Sequence, residues 1–316
     1  MWREVRRSEW VLVAYFTYAS FMGWALDVRA PIPLITSFLN LGIVAALALV
    51  VYADSLRRKR LLSMVRDWVP LPLMLLAYRE MGWFAPSHHT YALEKTWIVW
   101  DRVLLHDWGL KALIELSGSM LPSILEVSYS LVYAIGPFCM AMYYVAGRRE
   151  RMDNFLYLFL LGTLLSYAQF PFWPSEPPRT VFPGEDFPSL NTVFRQFNQA
   201  LLGGYGIHTS VFPSAHVSAA FAAAFGMMCF LPERRWVGRL LLLLAISIAT
   251  ATVYGRYHYA VDAAAGFGVS LIAVGLSRVA ERRKKAVISR KQRADDADHF
   301  DDGDDAREHG SSHDEV

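Results

Sequence analysis

The feature that most constrains this chain is the alternation of long apolar runs with compact basic clusters. Several runs approach or reach the roughly 20 residues that carry a helix across a bilayer. A run of that kind has no water to satisfy its backbone inside lipid, so it must close its hydrogen bonds internally as a helix. The runs fall at about 10–26, 33–53, 68–84, 124–146, 155–172, 215–231, 237–254 and 260–279. Hydrophobic residues are 54% of the chain, high for a soluble protein, and charges are segregated between the runs rather than mixed into them. The expected class is therefore an all-α integral membrane protein with about eight transmembrane helices.

Charge sets the sidedness. Arg57-Arg58-Lys59-Arg60, Arg148-Arg149-Glu150-Arg151, Glu233-Arg234-Arg235 and Arg282-Arg283-Lys284-Lys285 each follow a run, and such clusters are held in the cytoplasm. With Arg3, Arg6 and Arg7 at the start, eight crossings put every cluster on one face and both termini inside. The 68–84 run is interrupted by Pro70, Pro72, Arg79 and Glu80 and alone could be re-entrant. Two cytoplasmic clusters need an even number of crossings between them, so it reads as a span. The basic start followed by an apolar run is similar to a signal peptide, but no small-x-small cleavage site follows, and the segment reads as a retained helix.

Three parts follow. Residues 1–66 hold two helices and a basic loop, and 67–280 a six-helix core with external loops at 85–122 and 173–212. Residues 281–316 alternate basic and acidic blocks with almost no apolar residues, the composition of a disordered tail. Within the first external loop, residues 97–120 mix Trp97, Trp100 and Trp108 with Asp101, Arg102, His106 and Lys111, which suits a helix lying in the membrane interface. The second loop is rich in proline and glycine and long enough to suggest function. Cys139 and Cys229 sit in apolar runs, so no disulfide framework is expected. There is no zinc spacing and no nucleotide-binding glycine loop, and no nucleic-acid partner is expected.

The chemistry concentrates at the outer face. Val211-Phe212-Pro213-Ser214-Ala215-His216 opens one span, and Tyr254-Gly255-Arg256-Tyr257-His258 precedes another whose first turn holds Asp262. Upstream, Pro177-Pro178-Arg179 lies in the second external loop. An aspartate inside a span is costly enough that function is its default reading. Four residues after a histidine, it can reach that ring and fix its tautomer. Pro213 suits a first helical turn, with Ser214 and the free N–H groups there facing a phosphate. Arg179 and Arg256 supply forked cations for phosphoryl oxygens. His88, His89, His106 and His208 read as interfacial side chains, and Glu115 and Glu126 as interfacial carboxylates. Asp101 is the one residue of the interfacial segment singled out.

Pro213-Ser214-Ala215-His216 and the His258-x-x-x-Asp262 pair resemble the second and third signature motifs of the PAP2 (type 2 phosphatidic acid phosphatase) superfamily. The resemblance covers the third to eighth spans. It implies that His258 is the nucleophile that becomes phosphorylated, that His216 protonates the leaving group, and that Arg179 and Ser214 bind phosphate. Asp262 orients His258, and no metal or other cofactor is implied. Departures from the pattern are Phe172 in place of a lysine, Thr180 in place of a proline and Thr252 in place of an arginine, a charge that Arg256 could supply. Pro177-Pro178-Arg179 without the lysine, the Asp101-Arg102 segment and the His-Tyr-x-x-Asp form are similar to the Aur1-like, inositol phosphorylceramide synthase branch. That branch implies transfer of a phospho-headgroup from a phospholipid to a lipid alcohol, at a site facing the periplasm or a lumen. The alternatives are a lipid phosphate or polyprenyl pyrophosphate phosphatase, and a transporter or scaffold without catalysis.

Overall fold

A computed structural model of the chain describes residues 4–57, 59–84, 90–207 and 211–308. His88, His89 and His208 lie outside the described residues. No strand occurs among the described residues, and the helices are α1 (Arg7–Ala25), α2 (Ile32–Arg57), α3 (Arg60–Trp68), α4 (Pro70–Met81), α5 (Ala92–Arg102), α6 (Leu110–Glu115) and α7 (Met120–Val145), followed by α8 (Met152–Tyr167), α9 (Pro178–Val181), α10 (Val193–Tyr205), α11 (Ala215–Phe230), α12 (Arg235–Tyr254) and α13 (Ala260–Glu308). The chain divides into two compact units, one ending at Val274 and one beginning at Gly275.

Six segments are long and apolar enough to cross a bilayer: Ile32–Arg57, Arg60–Phe84, Met120–Val145, Arg149–Phe172, Pro232–Tyr254 and Ala260–Arg283. By length and composition the chain is an integral membrane protein. Two of the expected runs fall outside this set. Helix α11 is apolar but shorter; most of it is buried, because it packs against α7, α8 and α12. Helix α1 carries Arg7 and Glu9 in its first turn. The run expected at 68–84 starts earlier, at Arg60, because α3 leads into α4 with Pro70 in the first turn of α4, where the missing N–H is harmless.

Some of the basic residues share acidic partners. Arg6 and Arg149 both pair with buried Asp67, at 2.6 and 2.5 Å. Arg148 and Arg151 both reach Glu233 at 3.0 Å. At the same end, Asp153 accepts the Arg7 and Ser8 N–H groups, each at 3.1 Å, satisfying donors that the start of α1 would otherwise leave unpaired. The α8–α11 contact depends on small residues, as membrane helix pairs generally do. A Cβ on Gly162 would lie 2.5 Å from the Ala222 Cβ.

The interfacial segment is two short helices rather than one: α5 runs through a π-helical turn, Val103–Asp107, and stops at Gly109, whose φ of 71° ends it before α6. Trp100 and Trp108 are exposed, whereas Trp97 and Asp101 are buried. The described part of 281–316 continues α13 as helix to Glu308. Its Ala, Arg, Lys and Glu content favours helix, and no proline interrupts it.

Candidate active site

The turn between α12 and α13 is held from several directions. The Thr252 carbonyl accepts both the Tyr257 and His258 N–H groups at 2.9 Å. Arg256 between them has φ of 64°, a left-handed conformation unusual for a side chain of this size. It persists because the fully buried guanidinium pairs with Asp101, Nη1 to Oδ2 at 2.6 Å. The other Asp101 oxygen accepts the Ala260 N–H at 2.8 Å, capping the start of α13. Burial pushes the Asp101 carboxyl above its ordinary range, with Arg256 and the Ala260 N–H acting against that rise.

His258 sits at the end of this turn, almost wholly buried. Its Nδ1 faces Asp262 Oδ2 at 3.3 Å. The same oxygen accepts the Tyr259 N–H at 2.9 Å, as the third residue of a helix does when it reaches back to the cap. Burial, followed by the positive charge of Arg179, lowers the His258 pKa to about 3, while the Val211 carbonyl works the other way. The ring is therefore neutral at ordinary pH.

His216 lies on the first turn of α11, its ring 5.6 Å from that of His258. It stacks on Tyr129 at 5.2 Å and meets Tyr133 edge-on at 5.8 Å. The helix starts two residues later than Pro213, contrary to expectation. Ser214 is the N-cap, its Oγ accepting the Val217 N–H at 3.4 Å and its own N–H donating to the Asp262 carbonyl at 3.0 Å. Ser214 is thus a fully buried cap rather than a cavity-facing group. Ala215 and His216, the first two helical residues, line the cavity, and first-turn N–H groups have no partner within their own helix.

Arg179 approaches from α9. Its N–H donates to the Arg256 carbonyl at 3.3 Å, and its Nη1 to the Tyr257 carbonyl at 3.2 Å. Arg179, His216 and His258 line one cavity of about 130 Å³, roughly ten times what a single water needs. The other walls are mostly apolar or aromatic, including Leu71 and Met74 of α4, Val132 of α7, Phe159 of α8 and Leu202 of α10, with Thr163 among them. Arg256 and Ser214 are not among the lining residues. His106 is elsewhere, paired with Asp186 at 2.8 Å.

The sequence model of the PAP2 superfamily matches residues 95–276, more than half of the chain. The protein belongs to the PAP2 superfamily. No curated protein and no solved structure gives a match. The PAP2 match begins within α5 and contains every residue named above for chemistry, so Asp101 and Arg256 lie inside it. Helix α4, which the resemblance counts as the first core span, lies before it while still walling the cavity. Where the PAP2 pattern has an arginine, Thr252 is buried in the last turn of α12 and serves through its carbonyl. Phe172 is exposed.

Glu126 is not the interfacial carboxylate its position suggests. It is buried among Arg195, Asn198 and Tyr257, at 3.0, 2.7 and 2.6 Å, since only several donors can hold a carboxylate inside the protein. Tyr129, Tyr133 and Tyr257 were likewise not marked by sequence. The only signal for Tyr257 was its place beside His258.

Proposed function

We propose that this PAP2-superfamily protein is a lipid phosphotransferase that moves a phospho-headgroup to a lipid alcohol through a phosphohistidine. The observation that carries the reading is a cavity that brings Arg179, His216 and His258 together on walls that are mostly apolar or aromatic. A phosphate fits the three side chains and a lipid tail the walls.

His258 accepts Asp262 as partner at Nδ1, which leaves Nε2 to attack phosphorus. The N–P bond forms as the bond to the leaving alkoxide breaks, and His216, in the protonated form that an anionic phosphoryl group beside it favours, gives that proton to the oxygen. Arg179 and the start of α11 meet the phosphoryl charge. The acceptor hydroxyl then attacks the phosphohistidine, passes its proton to His216 and releases His258. Arg256 and Ser214 act by holding the turn and the helix start. The reading puts the site at the outer face, away from the side on which basic clusters are held. Walls of apolar side chains around a nearly buried histidine keep water scarce, and this favours a lipid alcohol as acceptor over hydrolysis.

The test uses purified protein in lipid nanodiscs with mixed phospholipids, ceramide and diacylglycerol, reading new lipids by mass spectrometry and phosphate release in parallel. A new phospholipid, absent with His258→Ala, is the expected result. Phosphate release without a new lipid would make the protein a phosphatase instead. Lipid chemistry unchanged by His216→Ala and His258→Ala would leave a non-catalytic protein.

A further inference from the structure

Helix α10 is built inside out. Val193, Phe194 and Phe197 are exposed, whereas Arg195 and Asn198 are buried against α7. The reason is Glu126 on α7, which takes Arg195 Nη1 at 3.0 Å on one oxygen and Asn198 Nδ2 at 2.7 Å on the other. Asn198 also donates to the Glu126 carbonyl at 2.9 Å, and its Oδ1 accepts from Ser130 at 2.6 Å. The oxygen shared with Asn198 accepts one more bond, from the Tyr257 hydroxyl at 2.6 Å.

Tyr257 is where this network meets the active site. Its ring stacks on Tyr129 at 4.2 Å, and Tyr129 stacks on His216. Its carbonyl receives Arg179 Nη1, and the Arg179 guanidinium lies 5.8 Å from its ring. One residue thus touches the side chain of the phosphate-facing arginine, the platform under one histidine and, through the chain, the other histidine.

We infer that Glu126 is a positioning residue that acts through Tyr257 to aim Arg179 at the phosphoryl group. Glu126 does not line the cavity. Arg195, itself buried, pairs with Glu126 at 3.0 Å, so the carboxylate has a cationic partner other than Arg179. A tyrosine hydroxyl donating to a buried carboxylate fixes the ring in rotation and depth, which ring stacking alone leaves loose. With the ring fixed, the carbonyl that receives Arg179 is fixed too. This inference rests on the phosphate-binding role of Arg179 proposed above.

Tyr257→Phe is the clean perturbation, because it removes the hydroxyl and keeps both the ring and the carbonyl. Inorganic phosphate is titrated into the full-length protein in nanodiscs by calorimetry, with unfolding temperature measured on the same samples. The expected result is roughly tenfold weaker phosphate binding, the scale of one charge-assisted hydrogen bond. Repeated in an Arg179→Lys background, the same change should cost under about twofold, since the forked partner is already gone. Undiminished binding in Tyr257→Phe, or an equal loss in both backgrounds, overturns the inference. A wild-type protein that binds no phosphate overturns the site reading itself, and this inference with it. If Tyr257→Phe fails to fold, Glu126→Gln carries the same comparison.

Discussion

Asp101→Leu is expected to be among the most damaging single substitutions in the protein, although Asp101 is not in the cavity. It would strand Arg256, a fully buried guanidinium whose Nε and Nη2 already lack partners, and would remove the acceptor for the Ala260 N–H. Breaking a buried pair from one side costs about 3–5 kcal/mol, because the remaining charge keeps its desolvation penalty. At roughly 2–4 °C per kcal/mol for a domain of this size, the unfolding temperature should fall by on the order of 10 °C. The double variant Asp101→Leu/Arg256→Met removes both charges and should recover the cost of the stranded guanidinium, staying about 1–3 kcal/mol below wild type because the Ala260 N–H still lacks its acceptor. Both can be read by thermal unfolding in nanodiscs, with phosphate titration as the functional measure. An unchanged unfolding temperature in Asp101→Leu, or a double variant worse than either single, would refute the argument.

Other perturbations test the packing and the protonation state. Gly162→Ala and Gly266→Ala should each destabilise by about 1–3 kcal/mol, because the new Cβ would lie 2.5 Å from the Ala222 Cβ and 2.4 Å from the Ser214 carbonyl oxygen. Gly42→Ala, inside α2 and with nothing near its Cβ, should leave the unfolding temperature unchanged or slightly raised. His258, with its pKa lowered to about 3, contributes its full stability above pH 6.5. Below that the unfolded chain takes up a proton that the folded one refuses, so stability falls by about 1.4 kcal/mol per pH unit. The unfolding temperatures of wild type and His258→Gln should therefore diverge as pH drops below 6.5, and parallel curves would show that the ring is not held neutral.

Much of the protein was legible in one dimension. Long apolar runs must be helices in lipid, and the arginines at 6 and 148–151 pair with Asp67 and Glu233. The His258–Asp262 pair followed from helical spacing alone, and Arg179, His216 and His258 were named from sequence and share one cavity. These are local or periodic properties, which neighbours along the chain suffice to set. Arg256 and Glu126 are different. An arginine two residues before a histidine is equally fit to clamp phosphate or to anchor a turn, and its buried partner here, Asp101, lies 155 positions away. Glu126 looked interfacial because its donors come from α10, in a stretch whose prolines and glycines read as loop. A buried charge is defined by the partners that fold around it, and those partners are brought together only in three dimensions.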